Sequence, residues 1–104
     1  MTRTRRRLLR RFSPGVLTRA AETIKLLGHP ERLLIVEALE PGELTVTGIC
    51  ELCDLEQAIC SQHLRRLRQL GVVACRKDGL NVYYHITEPK VRHILACIRA
   101  CHAT

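Results

Sequence analysis

Aromatic residues and long apolar segments are both scarce in this sequence of 104 residues. The chain has two tyrosines, one phenylalanine and no tryptophan. Proteins that hold single-stranded nucleic acid by stacking its bases on aromatic side chains usually need more of them, so that class is disfavoured. No apolar run reaches the roughly 18 residues of a membrane-spanning helix, and we therefore expect no membrane partner.

Acidic residues are missing from the first 19 positions, which carry seven arginines. No apolar stretch of the roughly 7–15 residues found in a secretory signal follows these arginines. We therefore expect a cytoplasmic protein, in which cysteines stay reduced and more often bind metal or do thiol chemistry. Ser13-Pro14-Gly15 precedes the first periodic segment. This predicts a basic, flexible arm over residues 1–15 and one domain over residues 16–104.

The rest of the chain is divided into an acidic and a basic half. Residues 20–56 carry two basic and eight acidic side chains, whereas residues 57–104 carry eight basic and two acidic ones. A strongly basic region presents a positive face to a polyanion, such as nucleic acid or an anionic membrane surface. The basic half is therefore the region in which we expect a binding surface.

Apolar residues at helical spacing predict two helices in the first 40 residues. The first covers about residues 16–27 and ends at Gly28. The second starts at Pro30, because proline suits the first turn of a helix, and it stops before Pro41-Gly42. A chain with so small a core often gains stability by association, so we expect a homodimer.

Two further helices have the arrangement of a helix-turn-helix. A short third helix, capped by Thr45 or Thr47, ends near Cys53. After a turn of about three residues, a fourth helix over about residues 57–70 places its apolar residues on one side. Its other side is polar and basic, which is typical of a recognition helix in the major groove of DNA.

The helical spacing of apolar residues ends at Gly71. Two segments with β-branched and aromatic residues follow and predict strands over residues 72–76 and 81–86. Gly79 suits the positive φ of the hairpin turn between them. A last helix over about residues 88–103 follows. The predicted fold class is mainly α with a β-hairpin wing: a homodimeric winged helix-turn-helix with the element order ααααββα.

A double-stranded DNA operator is the partner that this arrangement predicts. In the major groove Gln pairs with adenine and Arg with guanine, whereas other basic residues contact phosphates, which positions the protein without reading the sequence. The predicted DNA-binding residues are Gln57, Ser61, Gln62, Arg65, Arg68, Arg76 and Lys77. We expect His63 to pack near the helix pair, and the arginine arm to follow the DNA backbone or enter a minor groove.

Several segments of the sequence resemble the ArsR/SmtB family of small dimeric bacterial repressors. They are Leu26–Leu33, Gly42–Leu44, Ser61–Arg68, Gly71–Val73 and the wing residues Arg76–Gly79 with Val82–Tyr84. The resemblance implies a DNA-binding homodimer with the first and last helices at its interface. It also implies an inducer that is bound by the protein and lowers its affinity for the operator.

The inducer sites that are common in this family are incomplete here. Thr45 and Thr47 stand where thiolate-sensing members carry cysteines, and Glu37 stands where persulfide-sensing members carry one. Other members bind a metal ion across their last helices through acidic and histidine ligands. The matching positions here are Glu88, Lys90, Cys101 and Thr104, so at most half of that site is retained. The resemblance therefore predicts a sensor without transferring its ligand site.

Six cysteines supply the candidate sensing chemistry. Cys50 and Cys53 lie one turn apart on the third helix, and Cys97 and Cys101 lie one turn apart on the last helix, followed by His102. Thiolate and imidazole ligands suit arsenite, Cu(I), Cd(II) and Zn(II). We therefore predict a transcriptional repressor that a metal or metalloid ion, bound at these residues, releases from its operator.

Other functions of the cysteines stay open. The same thiols could make the repressor responsive to oxidation or persulfides, and another possibility is a structural zinc or metal-binding protein with no DNA role. An enzyme is not expected, because the first cysteine of a Cys-x-x-Cys oxidoreductase opens a helix after a strand. Cys50 lies inside the third helix, and no strand is predicted before it. Cys60 and Cys75 lie on apolar faces and are expected to pack in the core.

Overall fold

A computed structural model describes residues 12–102, and the arginine-rich segment of residues 1–11, most of the predicted arm, lies outside them. Within the described range the chain forms five helices and three strands. In chain order they are α1 (Pro14–Leu27), α2 (Pro30–Leu39), β1 (Leu44–Thr45), α3 (Val46–Cys53), α4 (Gln57–Gln69), β2 (Val73–Asp78), β3 (Asn81–Ile86) and α5 (Pro89–His102). The predicted winged helix-turn-helix order is confirmed, with β1 as an addition.

Local capping explains where the first two helices begin. The Ser13 hydroxyl accepts a hydrogen bond from the Val16 amide at 3.3 Å, so α1 starts at Pro14, two residues earlier than its apolar pattern predicts. His29 caps α2 through its Nδ1 atom, which accepts from the Glu31 amide at 3.2 Å. The His29 side chain therefore belongs to the start of α2.

The helix-turn-helix is formed by α3 and α4. Thr45 caps α3 by accepting a hydrogen bond from the Gly48 amide at 3.1 Å. The helix ends at Asp54, whose left-handed φ of 53° takes the chain out of the helix. Leu55 and Glu56 complete the predicted three-residue turn, and α4 begins at Gln57.

The wing belongs to a three-stranded antiparallel sheet with the strand order β1-β3-β2. Leu44 and Thr45 pair with Tyr84 and Tyr83, so β1 connects the start of α3 to the wing. The prediction that no strand precedes the third helix is therefore wrong. Two residues are too few to show a strand period, and it is pairing with β3 that makes them a strand.

The core lies between α2, α3, α4, β2 and α5. It includes Cys60, which is completely buried as predicted, whereas Cys75 on β2 is only half-buried. Side chains that are fully buried come from each of these elements: Ile35, Val36, Leu39, Ile49, Cys60, Leu64, Leu67, Val72, Val73 and Val91. None of the helices in residues 12–102 has the length and apolar character needed to cross a lipid bilayer.

Arginines of α5 hold that helix against the C-terminal end of α2. Arg99 donates hydrogen bonds to the Glu40 carboxylate, and Arg92 Nη1 donates to the Glu40 carbonyl oxygen at 2.6 Å. The hydrogen bond from Arg99 lowers the pKa of the Glu40 carboxyl below its usual value. Together with the buried Val91 and Leu95, these contacts hold one face of α5 against the rest of the domain.

Candidate DNA-binding surface and thiol groups

The outer side of α4 carries the residues best placed to read DNA bases. Cys60, Leu64 and Leu67 face the core, and at about 3.6 residues per turn Gln62 and Arg65 lie on the opposite side of the helix. Both of these side chains are exposed. A planar amide and a guanidinium with this placement can form paired hydrogen bonds with base edges in a major groove.

The other predicted DNA-binding side chains surround this pair. Gln57, Ser61 and Arg68 share one flank of α4, and Arg76 and Lys77 lie on β2 of the wing; all five are exposed. On an ideal strand, successive side chains point to opposite faces, so Arg76 and Lys77 do not face the same way. We therefore expect these two wing residues to meet different parts of the DNA backbone.

Arg76 already interacts with two side chains of the same chain. Its Nε atom donates to the Glu43 carboxylate at 2.9 Å, and its guanidinium carbon lies 4.6 Å from the centre of the Tyr83 ring. The hydrogen bond from Arg76 also lowers the pKa of the Glu43 carboxyl. Sequence reasoning missed this pair, because 33 positions separate the two residues. A phosphate contact by Arg76 would have to share or replace Glu43.

A hydrogen-bonded group of side chains connects α4 to the start of α2. Arg32 Nε donates to His63 Nδ1 at 3.1 Å, and His63 Nε2 lies 3.0 Å from Glu31 Oε1. The His29 ring contacts the His63 ring edge-on, with 4.6 Å between their centres. His63 is buried, as predicted, and these contacts hold the recognition helix against α2.

Three members of this group also meet the distance requirement of a metal site. The ligand atoms of His29, Glu31 and His63 lie within 4.8 Å of one another. However, the guanidinium of Arg32 donates to the same imidazole, and its positive charge would repel a cation placed there. The arrangement therefore suits an internal structural contact better than an ion site.

The two exposed cysteines lie on α5. Cys97 and Cys101 are one helical turn apart, and His102 beside them is exposed as well, as is His93 one turn before Cys97. An ion can reach these thiols and rings without opening the core. Sequence reasoning placed these groups together correctly, because a single continuous helix carries all of them.

The cysteines of α3 differ from each other in environment. Cys50 is half-buried, whereas Cys53 is buried and its thiol donates to the Leu34 carbonyl oxygen at 3.7 Å. Burial raises the pKa of the Cys53 thiol, which disfavours the thiolate that binds metal ions. Burial likewise raises the pKa of the Cys60 thiol of α4, to about 12.

A groove of about 660 Å³ lies between α1, the end of α4 and α5. Its lining includes Val16 and Ile24 of α1, Leu70 after α4, and His93 and Ile94 of α5. Apolar side chains of α1 and α5 are also unusually exposed, with Ile24 at 64% and Ile98 at 39%. These two helices therefore present an apolar face that no described residue covers.

Comparisons with known proteins agree with the fold. Residues 29–74 match the family described as bacterial regulatory protein, arsR family. The transcriptional repressor PagR of Bacillus anthracis is 41% identical over 76 residues, which are 72% of this chain and 76% of PagR. The cadmium resistance transcriptional regulatory protein CadC of Listeria innocua is 42% identical over 72 residues, which are 68% of this chain and 60% of CadC.

A solved structure shows the same architecture over nearly the whole chain. NolR from Sinorhizobium fredii superposes with a TM-score of 0.80 and 28% sequence identity, covering 92% of this chain and 99% of NolR. Family and fold together set aside the alternatives of an enzyme and of a zinc protein without a DNA role. The chain belongs to the arsR family of bacterial regulatory proteins and is a DNA-binding transcriptional regulator.

Proposed function

We propose that the protein is a homodimeric cytoplasmic repressor that binds a double-stranded operator and is released by a thiophilic ion. The observation that carries this proposal is the exposed polar and basic side of α4, with Gln62 and Arg65 opposite the core. A two-fold dimer presents two such helices, so the operator consists of two half-sites about one turn of DNA apart.

The apolar face of α1 and α5 supports the homodimer. Val16, Leu17 and Ile24 on α1 are each at least 40% exposed, and Ile98 extends the same kind of surface on α5. A second copy of the chain would cover these side chains and remove apolar area from water. The α5 thiols of both protomers would then belong to the same assembly.

Cys97 and Cys101 are the proposed ligands of the ion, with His102 as a candidate third donor. Their exposure gives an ion direct access, whereas Cys53 is buried and hydrogen-bonded. Cd(II), Zn(II), arsenite and Cu(I) are the ions whose chemistry suits thiolate and imidazole donors. The relative CadC, named for cadmium resistance, supports a metal inducer. Cys50 with Cys53 is the competing site.

Replacing Arg65 with alanine should weaken operator binding at least about tenfold, since one bidentate base contact contributes about 1–3 kcal/mol and the dimer has two such residues. The matched control is Arg66→Ala, which removes the same charge from the next position of α4, where Arg66 donates to Gln69 at 3.2 Å. Fluorescence anisotropy with labelled operator measures both variants. Equal losses in the two variants would show that only overall charge matters and contradict the assignment of Arg65.

Cd(II) or arsenite should release the operator from the wild-type protein but not from the double variant Cys97→Ser/Cys101→Ser. The control is Cys50→Ser/Cys53→Ser, which leaves the α5 thiols intact and should respond like wild type. Titration of each ion into the protein–DNA complex measures the release. If only the α3 variant loses the response, the ion site lies on α3. If only diamide or a persulfide releases DNA, and a reductant reverses the effect, the redox alternative replaces the metal sensor.

A further inference from the structure

The guanidinium of Arg32 connects three helices of the domain. Arg32 belongs to α2, and its Nε atom donates a hydrogen bond to His63 Nδ1 of α4 at 3.1 Å. Its Nη1 atom donates to the Leu26 carbonyl oxygen, near the end of α1, at 3.3 Å. One planar group therefore fixes the recognition helix relative to α1, the helix that carries part of the proposed dimer face.

These contacts determine the protonation state of the His63 ring. An Nδ1 atom that accepts a hydrogen bond from Arg32 carries no proton, so the single ring proton lies on Nε2. This N–H group donates to Glu31 Oε1, which is 3.0 Å away. His63 is therefore neutral, and neither of its ring nitrogens has a lone pair free for a metal ion.

The hydrogen bonds of His63 restrain a rotation of α4 that its apolar contacts restrain less. Cys60, Leu64 and Leu67 hold the inner side of α4 in the core, but apolar burial has no preferred direction. Hydrogen bonds, in contrast, weaken steeply when their angles change. His63 lies to one side of these apolar residues, so the two bonds to its ring resist rotation of α4 about its own axis.

We propose that the neutral His63 ring, held by Arg32, is a positioning group for operator reading. It sets the rotation of α4 that directs Gln62 and Arg65 toward the bases. This inference rests on the proposed function, in which those two side chains read the operator. A bidentate base contact needs two hydrogen bonds aligned at once, whereas phosphate contacts carry no sequence information. Loss of the His63 contacts should therefore weaken operator binding more than binding to unrelated DNA.

Nitrogen NMR of the full-length protein tests the protonation state without DNA. The chemical shifts of the two ring nitrogens, and their couplings to the ring protons, distinguish the two neutral tautomers from the doubly protonated ring. The signals of His63 are identified by their loss in His63→Gln. At neutral pH we expect a proton on Nε2 and none on Nδ1. A proton on Nδ1, alone or together with one on Nε2, would overturn the proposal.

Operator discrimination tests the positioning role. The measured quantity is the ratio of the affinities for the operator and for unrelated DNA of the same length, at equal salt. His63→Leu and Arg32→Leu should each lower this ratio at least about fivefold, the value of one weak base contact. His63→Gln should recover most of the ratio, because its amide oxygen can accept from Arg32 and its amide nitrogen can donate to Glu31.

Leu64→Ala is the matched control for a loss of stability. It removes a fully buried side chain next to His63 and lowers the folded fraction, which reduces binding to both DNAs in the same proportion. Its affinity ratio should therefore stay at the wild-type value. If His63→Leu also keeps the wild-type ratio, or if His63→Gln recovers nothing, the positioning role is overturned. A wild-type protein that does not distinguish the operator would instead contradict the proposed function, and the nitrogen spectrum would still decide the protonation state.

Discussion

Operator binding should weaken at least about a thousand-fold when the salt concentration is raised from about 50 to 200 mM. Each neutralised phosphate releases counterions, and the logarithm of affinity falls by about 0.9 per contact for each tenfold rise in salt. Arg68, Arg76 and Lys77 are exposed on each protomer and are the proposed phosphate contacts, which makes six contacts in a dimer. Salt dependence on this scale would identify the basic half of the chain as the DNA-facing half.

The control for this prediction is a variant that starts at residue 12 and lacks six arginines of the basic arm. Its affinity should be lower and its salt dependence shallower, with little change in preference for operator over unrelated DNA, because backbone contacts carry no sequence information. Anisotropy titrations at four or five salt concentrations give both slopes. An unchanged slope would mean that the arm does not contact DNA. An operator affinity that does not depend on salt would contradict all of the proposed phosphate contacts.

Replacing Leu64 with alanine should lower the free energy of unfolding by about 2–5 kcal/mol. Leu64 is fully buried on the inner side of α4, so its truncation leaves a cavity as well as losing apolar contact. Because a domain of this size has a total stability of only about 5–15 kcal/mol, the variant should be partly unfolded under mild denaturant. DNA binding should fall with the folded fraction.

Urea denaturation at one fixed protein concentration measures this loss, since the stability of a dimer depends on concentration. Ile59→Ala is the matched control, because it shortens an apolar side chain of the same helix that is 37% exposed. We expect the control to lose less than half as much stability as Leu64→Ala. Equal losses would show that α4 does not bury the side that the structure describes.

Short-range patterns made most of the fold predictable. Pro30 and the Pro41-Gly42 turn delimit α2 within the sequence itself, and the observed helix is Pro30–Leu39. The spacing of apolar residues in α4 predicted its buried side, and the positive φ of Gly79 fits the predicted turn of the wing. The placement of Cys97 and Cys101 on one accessible stretch was equally predictable, since one helix carries both.

The contacts that sequence reasoning missed join residues from different elements. Arg76 meets Glu43 over 33 positions, and Arg32 meets His63 over 31. No periodicity or capping rule reaches that far. The two-residue strand β1 was missed for the same reason, since only the edge of β3 makes it a strand.

The sequence by itself determined the helices, the wing, the basic recognition helix and the family, because caps, turns and apolar periods act within about ten residues. Only the tertiary structure decided the environment of each cysteine. Cys50 and Cys53 are neighbours on one helix, yet the packing of α3 against α2 buries Cys53 at a carbonyl of α2 and leaves Cys50 half-buried. The crossing of two helices, which no local pattern specifies, is the physical reason.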